Sequence, residues 1–221
     1  MTKAPYLIPV LAVTALFLIR AEFRNQRQQI YILKPLSTLL VIAVALLSFL
    51  EPSRNLTYSV GVLVGLLLSF GGDIALMLKE KPKSFMVGLA LFLLAHVAYT
   101  VVFWMLGRFS AWDIVSAVIL LAAGIILYRL FKPNLGKMRI PVIVYIVVIS
   151  LMVNRAFSAF ASPVFSNAQA WMISLGAVLF YVSDVILAAA RFWKPWPYHR
   201  ISLAFYYAGQ LLIALAASYF A

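Results

Sequence analysis

Apolar runs of about 20 residues recur along the whole chain, separated by short charged turns, and this spacing leaves few folds open. A helix rising 1.5 Å per residue needs about 20 residues to cross roughly 30 Å of hydrocarbon. Eight such runs can be read: Pro5 to Ile19, Ile32 to Leu50, Tyr58 to Leu78, Phe85 to Leu106, Trp112 to Phe131, Ile140 to Phe160, Ala170 to Ala190 and Ile201 to Ala221. With 65% hydrophobic and 11% charged residues, the chain exceeds the apolar content of a soluble domain. The expected fold is therefore all-α, a polytopic membrane bundle of eight transmembrane helices. Turns such as Glu51-Pro52-Ser53, Lys81-Pro82-Lys83, Lys132-Pro133-Asn134 and Lys194-Pro195 leave no segment long enough for a second domain, so residues 1–221 are expected to form a single transmembrane helical domain.

Basic residues fix the expected orientation, because positively charged loops stay in the cytoplasm. With both termini extracytoplasmic, the cytoplasmic connections hold Arg20, Arg24, Arg27 and Lys34; Lys79, Lys81 and Lys83; Arg129, Lys132, Lys137 and Arg139; and Arg191, Lys194 and Arg200. That is 14 of the 18 basic residues; Lys3, Arg54, Arg108 and Arg155 fall one to each exterior segment. Seven or nine spans would break the alternation. The net charge of +12 follows from this topology and from contact with anionic lipid headgroups. Dispersed over four short loops, the charges form no patch for nucleic acid. The first run has no small-residue cleavage pattern, and its stronger positive flank follows it, so it reads as a mature helix and not a secretory signal. Cysteine is absent, which removes disulfides, thiolate metal sites and cysteine nucleophiles.

Two aspartates break the apolar pattern: Asp73 in LLLSFGGDIALML and Asp184 in VLFYVSDVILAAA. A carboxylate at bilayer depth costs roughly 2.5–3.5 kcal/mol on insertion scales, so such residues usually face a polar cavity. Each lies five or six residues before the cytoplasmic end of its helix, which puts both carboxyls at one level, with small residues beside them (Gly71, Gly72, Ser183, Gly176). The expectation is a shared chamber between neighbouring helices three and seven; the alternative is that each acid bonds a neighbouring helix's hydroxyl or pairs with a loop lysine. Gly88, Phe92, Ala95, His96 and Tyr99 form one stripe on helix four, and Tyr206, Tyr207, Gly209 and Gln210 reach a comparable depth on helix eight. Lys34, next to Pro35 at the start of helix two, is placed to meet a lipid phosphate or to snorkel. Asn154 and Arg155 read as an exterior cap or an interfacial anchor. A faint internal repeat sets Lys34-Pro35 against Arg139-Ile140-Pro141 and Gly72-Asp73 against Ser183-Asp184, which would make a parallel 4+4 arrangement.

Taken together, Gly72-Asp73, Phe85-x-x-Gly88-Leu89-x-x-Phe92-x-x-x-His96-x-x-Tyr99, Tyr181-x-Ser183-Asp184-x-x-Leu187-Ala188 and Tyr207-x-x-Gln210-x-Leu212-Ile213-Ala214 resemble the YhhN-type lysoplasmalogenase family of membrane proteins. Each motif is short; their joint order and spacing over nearly the whole chain carry the resemblance. It implies hydrolysis of the vinyl ether bond of lysoplasmalogens, giving a fatty aldehyde and a glycerophospho-ethanolamine or -choline. The family's catalytic aspartates would fall on Asp73 and Asp184. Lys34, His96, Tyr99, Ser183, Tyr207 and Gln210 are then the expected substrate-binding positions. No cofactor or metal is expected. A bilayer lysophospholipid and water are the expected partners, with oligomeric state left open. A bacterial inner (cytoplasmic) membrane location is expected, with the site toward the cytoplasmic leaflet.

The chemistry suits two carboxyls. A vinyl ether resists base but yields when an acid protonates its terminal alkene carbon, and the oxocarbenium ion so formed is captured by water. One acid and one carboxylate are required, as in glycosidases. A pair of buried carboxyls can hold one proton between them at neutral pH. Two rivals remain open at this level. A proton- or cation-coupled transporter would also place acids at a helix interface. A metal-dependent hydrolase would have to use His96 with the two aspartates, an unusual donor set.

Overall fold

Every apolar run becomes a helix because, in hydrocarbon, the backbone must satisfy its own hydrogen bonds. A computed structural model describes residues 2–78 and 83–220. It contains eight α-helices: α1 (Ile8–Phe23), α2 (Arg27–Leu47), α3 (Leu56–Met77), α4 (Ser84–Leu106), α5 (Ala111–Phe131), α6 (Arg139–Phe157), α7 (Asn167–Phe192) and α8 (Ser202–Ala216), with no strand among the described residues. Lys79, Lys81 and the Lys81-Pro82 turn, like Ala221, lie outside the described residues.

Seven of the helices are long and apolar enough to cross a membrane. The exception is α8, expected as a full span, which covers 15 residues or about 22 Å. Its burial explains its tolerance of polar side chains: Ser202, Tyr206, Tyr207, Gln210 and the Ile213–Ala216 turn all pack inside the protein. The opposite case is α5, which buries only Asp113, Ser116 and Phe131 and presents Ile114, Val118, Ile119, Leu121 and Ile126 outward.

Packing closes a ring of six helices in the order α2, α3, α4, α6, α7, α8, each against the next and α8 back against α2. Outside it, α1 leans on α2 and α8, and α5 leans on α6. Helices α3 and α7, expected as neighbours, therefore stand on opposite sides of the ring. The helix-two start also shifts. Because α2 begins at Arg27, Lys34 and Pro35 lie two turns inside the helix, and Lys34 is buried instead of sitting at the interface.

The two closest helix pairs, α3 with α4 and α7 with α8, are made possible by glycine. In the second pair Gly176 and Gly209 meet face to face: a Cβ on Gly176 would lie 2.8 Å from the Gly209 carbonyl oxygen, and a Cβ on Gly209 would lie 2.7 Å from that of Gly176. Small residues at such crossings let backbones approach and supply dispersion contacts where no hydrophobic drive between helices exists.

At the end of the bundle away from the α1–α2 turn, Asn154 and Arg155 find their place. Arg155 Nη2 lies 2.7 Å from Oδ1 of the buried Asp113, Ser158 donates to the same oxygen, and Asn154 Nδ2 donates to the Asp113 carbonyl (2.7 Å) and Ser116 Oγ (2.8 Å). The Arg155 guanidinium lies 4.9 Å from the Trp104 ring centre. This cluster fastens the start of α5 to α6. It is built around Asp113, which the sequence reading had passed over.

Backbone contact at Gly176 and Gly209 leaves no flexible side chain to yield. Gly209→Val should cost about 1–3 kcal/mol of stability, as over-packing does, and lower the melting temperature in detergent. Gly124→Ala, whose Cβ would meet only Ile146 Cγ2 at 3.2 Å, should change it far less.

Candidate active site

A cavity of about 1250 Å³ occupies one end of the ring, where the α1–α2, α3–α4, α5–α6 and α7–α8 connections lie. Its walls carry both aspartates, and apolar residues such as Leu89, Phe92, Ile146 and Leu203 line much of the rest. The two carboxyls line the same cavity. They come from opposite sides of the ring and meet different surroundings.

Asp73, 2% exposed, is held from three sides. Lys34 Nζ lies 3.2 Å from Oδ1, while Thr38 Oγ1 (2.7 Å) and the Tyr206 hydroxyl (2.8 Å) donate to Oδ2. One turn of α2 places Lys34 and Thr38 on the same face. The Tyr207 hydroxyl donates to the Lys34 carbonyl oxygen at 3.2 Å and sits 3.4 Å from Thr38 Oγ1, tying α8 to the same turn. Among the alternatives open to the sequence, Asp73 thus adopts ion pairing with a lysine and bonding to hydroxyls, and it faces the cavity as well.

Asp184 has a lighter hold. The Tyr145 hydroxyl donates to its Oδ2 at 2.6 Å, and His96 Nε2 lies 3.7 Å from the same oxygen. Its side chain keeps 14% exposure. His96 is fully buried behind it, with its ring centre 4.6 Å from that of Phe180 and 5.3 Å from that of Tyr145. Beside the acids Phe92, Phe180 and Tyr206 pack edge to face with centroids 5.3–6.3 Å apart, Tyr206 reaching Asp73 and Phe180 lying against His96. Asp73 lies one turn from the end of α3 and Asp184 two turns from the end of α7, so equal depth, as read from the sequence, does not follow from helix length.

Of the residues expected at the site, Lys34, Asp73, Ser183 and Asp184 line the cavity. His96 and Tyr207 stand behind the acids. Tyr99 and Gln210 are deeper and bond one another, hydroxyl to Oε1 at 2.7 Å, across the ring from α4 to α8. Sequence reasoning missed Thr38 and Tyr145 altogether and set Tyr207 ahead of Tyr206. A signal for Tyr145 existed: Lys34 and Tyr145, Gly65 and Gly176, and Asp73 and Asp184 are each 111 residues apart. Tyr145 does to Asp184 what Lys34 does to Asp73. Aligning Lys34-Pro35 with Pro141 had concealed that register.

The YhhN family model matches residues 29–217, from the first turn of α2 through the end of α8. The chain belongs to the YhhN family. Lysoplasmalogenase TMEM86A of Bos taurus is 32% identical over 161 residues, which are 71% of this chain and 64% of that protein. The lysoplasmalogenase of Mycobacterium tuberculosis is 35% identical over 134 residues, 58% of this chain and 48% of its own. The uncharacterized membrane protein YhhN of Escherichia coli O157:H7 is 28% identical over 196 residues, 87% and 89% of the two chains. This YhhN-family chain thus spans about half to two thirds of the length of the relatives named lysoplasmalogenase. No solved structure matches it. Its seven apolar helices and its membrane-protein relatives make it an integral membrane protein.

The buried pair can be tested without reference to activity. Removing one partner of a buried ion pair leaves an uncompensated charge and costs about 3–5 kcal/mol. Lys34→Met alone should therefore lower the melting temperature strongly, and Lys34→Met combined with Asp73→Asn should recover part of the loss. Additive losses would mean the two side chains do not interact.

Proposed function

We propose that this YhhN-family protein is a lysoplasmalogenase-type hydrolase that cleaves the vinyl ether bond of alkenyl lysophospholipids, releasing a fatty aldehyde and a glycerophospho-ethanolamine or -choline. The names of its relatives support the class of reaction. The observation that carries the reading is a single apolar-walled cavity with two carboxyls in chemically different settings. At about 1250 Å³ the cavity exceeds the roughly 300–1,000 Å³ of usual small-molecule pockets, and a single-chain lipid needs that extra room for its tail.

The settings divide the labour. Asp73 faces an ammonium at 3.2 Å and two hydroxyl donors, surroundings that favour a carboxylate. Asp184 has a phenol donor and no lysine or arginine within ion-pair distance among the described residues, and a carboxyl so placed holds a proton more readily than one beside a cation. Asp184 is therefore assigned as the general acid. It delivers its proton to the terminal alkene carbon of the vinyl ether, and the C=C electron pair forms the new C–H bond. The resulting oxocarbenium ion is stabilised by Asp73. Water adds to it and gives up a proton, which restores Asp184, and the hemiacetal collapses to aldehyde and glycerol hydroxyl. Lys34 tunes Asp73, and Tyr145 positions Asp184. His96, Tyr99, Ser183, Tyr207 and Gln210 shape the site around the lipid.

Orientation and architecture complete the proposal. The distribution of basic residues supports a cavity mouth toward the cytoplasmic leaflet, with α8 counted as an eighth span and both termini outside, and the membrane proposed is a bacterial inner one. A parallel 4+4 repeat within one transmembrane domain is supported by the 111-residue register and by matched packing. In that matching, α2 with α3 corresponds to α6 with α7, α3 with α4 to α7 with α8, and α4 with α6 to α8 with α2.

The test is aldehyde release from an alkenyl lysophosphoethanolamine by the purified full chain. Asp73→Asn and Asp184→Asn should each lower kcat by at least about 10²-fold, the usual contribution of a general acid or base, while the proteins remain monodisperse in detergent. Tyr145→Phe should lose up to about tenfold, the worth of one hydrogen bond. Wild-type turnover in either aspartate variant would defeat the two-acid mechanism. Proton or cation flux in liposomes that depends on Asp73, without aldehyde release, would replace it with transport.

A further inference from the structure

The mouth of the cavity carries charges that the proposed hydrolysis does not use. Glu22, in the last turn of α1, is only 5% exposed, yet it lines the cavity. Arg200, in the 3-10 turn that precedes α8, reaches Glu22 Oε2 with Nη1 at 3.1 Å and lines the same wall. Asn25 and Arg27 flank the pair from the α1–α2 turn, and Trp196 and His199 from the α7–α8 connection. His199 Nδ1 lies 2.6 Å from the Trp196 carbonyl, which fixes the imidazole at the rim.

With Glu22 buried and Arg200 24% exposed, this ion pair is a poor device for stability alone, because desolvation of the buried carboxylate offsets much of its attraction. Placed on the wall of a cavity, it offers both signs of charge to a ligand at one spot. A zwitterion is the ligand that such a wall fits. Guanidinium binds phosphate oxygens through paired N–H donors. A carboxylate accepts hydrogen bonds from a primary ammonium, and a quaternary ammonium has no N–H to give. Moving outward from the acids, the glycerol of a bound lysolipid comes first, then its phosphodiester, then its amine. Glu22 and Arg200 stand at the mouth, on that outward path.

We propose that Glu22 and Arg200 form a headgroup subsite for a zwitterionic phosphoethanolamine ester, with Arg200 taking the phosphate and Glu22 the primary ammonium. The identity of the lipid rests on the hydrolase reading above; the recognition chemistry does not. On binding, the Glu22–Arg200 pair opens and each member exchanges its partner for the opposite charge of the headgroup. The subsite thus selects ethanolamine over choline lipids and both over lipids without phosphate.

The decisive experiment measures binding of non-cleavable alkyl-ether lipids to the purified full chain in detergent, so that turnover plays no part. The ligands are alkyl lysophosphoethanolamine, its choline analogue and alkyl glycerol, with inorganic phosphate and soluble glycerophosphoethanolamine as competitors. Wild type should bind the ethanolamine lipid about tenfold tighter than the choline lipid, the worth of one charge-assisted hydrogen bond. Glu22→Gln should abolish that preference while binding of alkyl glycerol stays unchanged, and Glu22→Asp should retain part of it. Arg200→Ala should weaken both phospholipids by about tenfold and leave alkyl glycerol unaffected. Glycerophosphoethanolamine should compete better than inorganic phosphate. Equal loss for all three lipids would make the pair a structural staple and overturn the proposal, as would an unchanged ethanolamine preference in Glu22→Gln. Competition by inorganic phosphate as strong as by glycerophosphoethanolamine would reduce the site to a simple anion site and overturn it too. Headgroup selectivity that follows these variants in a protein that releases no aldehyde would keep the subsite and remove the hydrolase.

Discussion

Burying two carboxylates inside a ring of apolar helices is the constraint around which the rest of this protein is arranged. Each acid must find donors without water at hand, and each must find them on helices other than its own. Asp73 recruits Lys34 and Thr38 from α2 and Tyr206 from α8, so a single side chain on α3 locks three consecutive members of the ring. Asp184 recruits Tyr145 from α6 and lies against His96 from α4. Between them the two acids reach all six ring helices. The polar contacts that a catalytic reading would call a site are also what holds α2 and α8 in register.

The same register explains how one scaffold differentiates its two acids. Positions 34 and 145 are 111 residues apart, as are 73 and 184, and both pairs make the same contact. At one location the partner is an ammonium and at the other a phenol. An ammonium brings a full charge and stabilises the ionised carboxyl, whereas a phenol donates one hydrogen bond and leaves the charge uncompensated. Under the proposed hydrolysis and the proposed repeat, that single difference in residue type is enough to give corresponding places opposite roles.

Much of the architecture was legible in the sequence because hydrocarbon permits so few backbone arrangements. The eight helices, the all-α class, the two acids and the family resemblance could all be read from apolar length, isolated charge and motif order. What escaped reading was lateral order. Nothing in the spacing of Asp73 and Asp184 says that α3 and α7 face each other across a ring and do not touch, since that depends on which helices glycine allows to close up. Hydropathy also overstated α8: a helix shielded by its neighbours carries Tyr206, Tyr207 and Gln210 inside and need not match the bilayer in length. Tyr145 went unnoticed because tyrosine is common in apolar helices and becomes informative only in the 111-residue register. Asp113 escaped because an acid at a helix start reads as a simple cap, and its pairing with Arg155 links residues 42 positions apart.

The two ends of the ring differ in a way that, under the proposed hydrolysis, decides how a lipid would reach the acids. At one end the Asp113, Asn154, Arg155 and Ser158 cluster fastens α5 to α6, while Tyr58 donates to the Ile213 carbonyl and Gln169 to the Ala216 carbonyl. These bonds cross between helices, so opening that end would break several of them at once. At the other end the wall is made of helix termini and turns, and the cavity passes between them. Under the proposed hydrolysis, a lysolipid, with its charge at one extremity and its tail at the other, would enter past the charged rim tail inward. The reactive bond, which lies where tail joins glycerol, would then reach the part of the cavity lined by Asp73 and Asp184 without motion of the hydrogen-bonded end.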